Sequence, residues 1–145
     1  MADELIELKC TIELMGKPKE AVMDSLKKII SNIEENGNKL EVSETEYADP
    51  NEVKDGFFSS FARFRIKGNV VDLLGFVMDY APSSIELLTT RDTKLSMTDL
   101  QALMNDLSGR MSEMDQRIKI FSGQTVLLSQ QLDQLKKEMK KTNNV

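Results

Sequence analysis

Phe57, Phe61, Arg63 and Arg65 stand at odd positions of one short stretch, so an extended backbone sends all four to the same side. Aromatic rings and guanidinium planes presented that way can stack on unpaired nucleobases, or the arginines can pair with carboxylates across a sheet. Histidine is absent, which removes the usual general base near neutral pH and the commonest ligand for zinc, copper or iron. Acid–base work by carboxylates needs two of them held in a cleft with separated pKa values, and no spacing singles out a pair. The sequence is therefore read as that of a non-enzyme, with no cofactor and no metal. The Asp49, Asn51 and Asp55 group lacks calcium-loop spacing, and no glycine-rich phosphate loop is present. Cys10, the only cysteine, alternates with Leu8 and Ile12 and reads as a buried structural thiol.

The other functional pattern is apolar. Met97, Leu100, Met104, Leu107, Met111, Met114, Ile118, Phe121, Leu128, Leu132, Leu135 and Met139 recur at alternating spacings of three and four, interrupted only by Thr125. That is a coiled-coil seam, which needs a partner helix to cover it. The expected partner is a second copy, most simply in a homodimer, or a helix of another protein. Arg110 and Asp115 could form one interhelical pair in a parallel dimer, while Gln101, Ser108, Ser122, Gln124, Ser129 and Gln131 are uncharged, so orientation is weakly specified. Gly109 and Gly123 fall on the outer face. A tight turn at Ser122–Thr125 would fold the segment into a helical hairpin, the alternative to one continuous helix. Lys136, Lys137, Lys140 and Lys141 complement the dipole at the helix end.

Elements that hold these residues follow from periodicity. Ile6, Leu8, Cys10, Ile12 and Leu14 alternate with polar residues as in a half-buried strand. Pro18 and Gly37 bracket a helix carrying Val22, Leu26, Ile29, Ile30 and Ile33. Leu40 to Tyr47 reads as an edge strand, 48–56 as the loop of a long hairpin, and Phe57 to Lys67 as its second arm, with Phe58, Ala62, Phe64 and Ile66 facing the core. Asn69 and Asp72 can cap a helix whose apolar face is Val70, Leu73, Leu74, Val77 and Met78, stopped by Pro82. Ser84 to Thr89 is a last strand, and Ser96 with Asp99 can start the C-terminal helix.

The order β-α-β-β-α-β predicts an α+β fold: a split ferredoxin-like sheet with both helices on one face and the strands from Leu5 and Phe57 in its centre. The expected organisation is a domain over 1–90, a linker over 91–96, a coiled-coil helix over 97–141 and a frayed tail over 142–145. The other sheet face is open, and Phe57, Phe61, Arg63 and Arg65 lie on it. Residues 1–96 carry −6 and residues 97–145 carry +1 of the total charge of −5, so nucleic acid is disfavoured as a partner. The N-terminal Met1-Ala2-Asp3-Glu4 is acidic where a secretory signal would be basic, and no run approaches a membrane span, so a cytoplasmic protein without membrane attachment is expected.

The stretch Phe57-Phe58-Ser59-Ser60-Phe61-Ala62 and the run Leu73 to Leu87 resemble a group of short uncharacterised archaeal proteins, over about residues 8–120. That resemblance implies a cytoplasmic setting and supplies no activity or functional residues. The strand order is also similar to that of small regulatory modules of the ACT type, for which Met15-Gly16-Lys17 offers a glycine-containing turn after the first strand. The function expected is a non-enzymatic assembly or adaptor module acting through its C-terminal helix. A small-ligand regulatory module and an RNA- or ribosome-associated factor are the alternatives.

Overall fold

Ile6, Leu8, Cys10 and Ile12 are all buried on one face of the first strand, as their alternation requires. This strand, β1 (Ile6–Gly16), belongs to a computed structural model that describes residues 4–35 and 39–144. It pairs antiparallel with β4 (Phe57–Gly68) along its whole length, from Ile6 opposite Gly68 to Gly16 opposite Phe58. β2 (Glu41–Tyr47) and β3 (Asn51–Lys54) both lie along the far side of β4, and β5 (Ser84–Leu87) borders β1. The sheet order β2-β4-β1-β5 puts the two predicted central strands in the centre, and the arrangement is consistent with a ferredoxin-like domain followed by a helix.

Residues 51–54 correct one expectation. They form a strand, not part of a loop, and the hairpin closes in two residues, Asp55 (φ 51°) and Gly56 (φ 79°). Positive φ at both positions is the turn that matches the twist of paired strands, and Asp-Gly is its preferred sequence. β3 escapes periodicity because all four of its residues are exposed, so no face is marked by hydrophobicity.

The helices α1 (Lys19–Glu35) and α2 (Val70–Tyr80) bury Val22, Leu26, Ile30 and Ile33, and Leu73 and Phe76, respectively. Phe76 meets Phe64 of β4 edge-on, with ring centroids 6.1 Å apart. On α2 Phe76 thus joins the expected Leu73 in the core, while Leu74, also expected inside, is exposed. Asn69 caps α2 as predicted: its Oδ1 accepts from the Asp72 amide at 2.8 Å, and its Nδ2 donates to the Asp72 carboxylate at 2.7 Å. At the other end Ala81 adopts a left-handed conformation (φ 44°) and its amide donates to Val77. Gly68 permits a close approach, since a Cβ there would stand 2.7 Å from Leu40 Cδ2 and 3.3 Å from the Lys39 carbonyl oxygen.

After β5, the Leu88 amide donates to the Glu7 carbonyl and the Glu7 amide donates to Thr89 Oγ1, both at 2.9 Å. Arg91 donates to the Leu5 carbonyl at 2.7 Å. Helix α3 (Met97–Asn143) then starts on Ser96, whose hydroxyl accepts from the Asp99 amide at 3.1 Å. The chain divides into two compact units, Met1–Leu103 and Met104–Val145. The core lies in the first unit, where Leu103 is also buried.

Candidate functional site

Taken by itself, the second unit is a helix without a core. Helix α3 is continuous for 47 residues, roughly 70 Å, and passes through Gly109 and Gly123 without turning. Ion pairs one turn apart support it, Arg117 to Glu113 at 2.6 Å and Lys119 to Asp115 at 2.7 Å. Because no hairpin forms at Gly123, no antiparallel neighbour within the helix covers the seam. Met104, Leu107, Met111, Met114, Ile118, Phe121, Leu128, Leu132, Leu135 and Met139 are each 49–65% exposed. Met97 and Leu100 begin the same stripe inside the first unit and are also exposed. Thr125 does not interrupt it with an unmet polar group, since its hydroxyl donates to the Phe121 carbonyl at 2.8 Å. Ile120, Val126 and Leu127 add further exposed apolar surface near the midpoint. A ladder of this length and exposure is well beyond the apolar patch of an ordinary monomer.

On the sheet face away from the core, Phe57, Phe61, Arg63 and Arg65 share one side of β4, since their neighbours Ala62, Phe64 and Ile66 are buried on the other. Each has a local partner. Lys17 Nζ stands 4.7 Å over the Phe57 ring, and the Arg63 guanidinium stands 5.4 Å from the Phe61 ring centre. Arg65 reaches Glu7 Oε1 at 3.4 Å and Glu44 Oε2 at 2.9 Å, the second through a buried Nε that is not aligned for a hydrogen bond. Cross-strand register extends this pattern: Lys67 lies between Glu41 and Glu7, Arg63 lies beside Glu46, and Lys9 lies beside Glu86. Lys9 and Arg65 stand directly opposite each other, but each cation of this face also has a carboxylate beside it, which is the cross-strand charge pairing that competes with a nucleobase platform.

A third feature was only half visible in the sequence. An open groove of about 430 Å³ runs between the end of β1 and α1, with Leu14, Val22 and Ile29 in its floor and Lys17, Ser25, Lys28 and Asn32 around it. Gly16 of the predicted turn lines it, but the α1 residues carry no motif and could be found only once the helix was laid against the strand. Cys10 is fully buried, and burial pushes its thiol up to about 11, so it is an inert core side chain at neutral pH. Among the described residues, no group of Cys, Asp and Glu is gathered as a metal ion would need, and no helix is long and apolar enough to cross a membrane.

One family model matches this chain over residues 7–142; it describes the MJ0538 family, named for a Methanocaldococcus protein. No curated protein and no solved structure matches.

Proposed function

We propose that this chain, which belongs to the MJ0538 family, is a non-enzymatic assembly or adaptor module that self-associates, or captures a partner helix, through α3. One observation carries the reading: the seam from Met104 to Met139 is continuous, regularly spaced and in water. Leaving so much apolar area hydrated costs about 25 cal/mol per Å², which a facing helix recovers. The methionines on the seam adapt to an imperfect partner, while the leucines from Leu128 to Leu135 favour a regular one.

Sedimentation equilibrium of the full-length chain tests the reading. A dimer or larger assembly at micromolar concentration is expected, and Leu107→Lys, Met114→Lys and Leu128→Lys together should dissociate it while the circular dichroism of the first unit persists. A wild-type monomer that also retains no helix-containing partner from its source extract would end it.

The groove beside α1 favours a second reading, a regulatory module for a small ligand with an apolar body and an anionic group that Lys17 or Lys28 could meet. Mass spectrometry of the natively purified protein tests this reading, with a retained small molecule as the expected result. RNA association is the weaker alternative, because each cation of the sheet face away from the core has a carboxylate beside it.

A further inference from the structure

Helix α3 is close to being its own complement when reversed, and we propose that two copies pair antiparallel through their seams, about a midpoint between Ile118 and Phe121. This rests on the assembly reading above and adds occupant, direction and register to it.

The seam itself supports the register. In an antiparallel pair, first-type seam positions of one helix face second-type positions of the other. Placing Ile118 opposite Phe121 of the other copy makes Leu107 face Leu132 and Met111 face Leu128, and Met104 at one end then meets Leu135. Every layer from 104 to 135 is filled without a gap, all within the second unit. Thr125 falls opposite Met114, where its methyl group can pack, because its hydroxyl is already satisfied by the Phe121 carbonyl. A parallel, in-register pair would instead place Thr125 on Thr125 and Phe121 on Phe121.

Charge supports the direction. Residues 97–115 carry Asp99, Asp106, Glu113 and Asp115 against Arg110, a net −3, whereas residues 116–145 carry six Lys and Arg against Asp133 and Glu138, a net +4. Antiparallel pairing lays each acidic half along a basic half, with Lys140 and Lys141 level with Thr98 and Asp99 of the other copy. Parallel pairing lays like charge on like. The one feature favouring the parallel form is an Arg110–Asp115 contact between copies. Both residues already have partners within their own chain, Asp115 at Lys119, and such rim pairs contribute only about 0.2–1 kcal/mol. The half-helix charges therefore decide.

Two variants of the full chain that each add one cysteine to Cys10, Leu107→Cys and Leu132→Cys, mixed and oxidised, test direction and register together. Cys10 can stay in place, since it is fully buried. The expected product is the mixed disulfide between 107 and 132, with Met111→Cys and Leu128→Cys as a second pair giving the same result. Raising sodium chloride from about 0.05 M to about 1 M, where the screening length shrinks to roughly 3 Å, should weaken self-association by about tenfold or more. Disulfides joining 107 to 107 and 132 to 132, or an association that tightens with salt, would overturn the antiparallel arrangement and leave self-assembly standing. A dimer yielding no mixed disulfide with either variant pair would overturn the register. A monomer at all concentrations would overturn self-assembly itself.

Discussion

Glu44 reaches Arg65 across the β2–β4 ladder because β2 is bulged at that point. The register runs regularly to Ser43 opposite Arg65, resumes at Glu46 opposite Arg63, and holds Glu44 between them at φ 51°. The left-handed backbone at a non-glycine residue costs roughly 1–2 kcal/mol and turns the Glu44 carboxylate to 2.9 Å from Arg65 Nε. Arg65 thereby sits between Glu44 and Glu7, one carboxylate from each neighbouring strand.

Strain and charge at Glu44 can be separated. Glu44→Gly loses the ion pair but relaxes the backbone and should leave stability nearly unchanged. Glu44→Ala loses the pair and keeps the strain, and should be less stable than the glycine variant by about 1 kcal/mol. Denaturant unfolding of the two variants side by side checks this; equal midpoints would show that the bulge costs nothing.

Ala81 ends α2 at φ 44°, where glycine is the usual residue. Ala81→Gly should raise the melting temperature, with a gain of up to about 1 kcal/mol, because relief of the left-handed strain exceeds the extra entropy that glycine brings to the unfolded chain. Scanning calorimetry reads the shift, and a fall in melting temperature would contradict it.

Burial raises the Cys10 thiol from 9.0 to about 11. The unfolded chain then releases this proton at lower pH than the folded one, so stability is unaffected below pH 9 and declines as pH rises from 9 to 11, by about 1.4 kcal/mol per unit. Unfolding of the wild type and of Cys10→Ala across this range should differ in slope, with the alanine variant flatter. At pH 8 a thiol reagent should label Cys10 only as fast as the domain opens.

The first unit ends at Leu103, which is buried, and not at the end of β5. A fragment of residues 1–103 should melt cooperatively, and Leu103→Ala within it should cost about 2 kcal/mol or somewhat more. Circular dichroism melting decides; an unchanged midpoint would place Leu103 outside the cooperative core.

Where one face of an element meets the core and the other meets water, the contrast is written into residue order, and it was legible here. β1 is the clearest case, with Ile6, Leu8, Cys10 and Ile12 inside, and the two caps at Asn69 and Ser96 were as plain, because each uses a side chain three residues from its partner. The apolar period of α3 is equally plain in residue order, although its residues meet water and not a core. Elements without that contrast needed the fold. β3 is exposed throughout, so only its pairing with β4 makes it a strand. The Glu44 bulge shows only in the pairing of β2 with β4, where one extra residue of β2 separates Ser43 opposite Arg65 from Glu46 opposite Arg63. Phe76, not Leu74, is in the core: the helical stripe Leu73, Phe76, Val77 and Tyr80 packs against it, and contact with Phe64 selects that stripe over the one through Leu74. Gly123 could have turned the C-terminal segment back on itself, and local propensity leaves that choice nearly balanced; what the tertiary structure decided is one unbroken helix, which leaves the seam facing solvent.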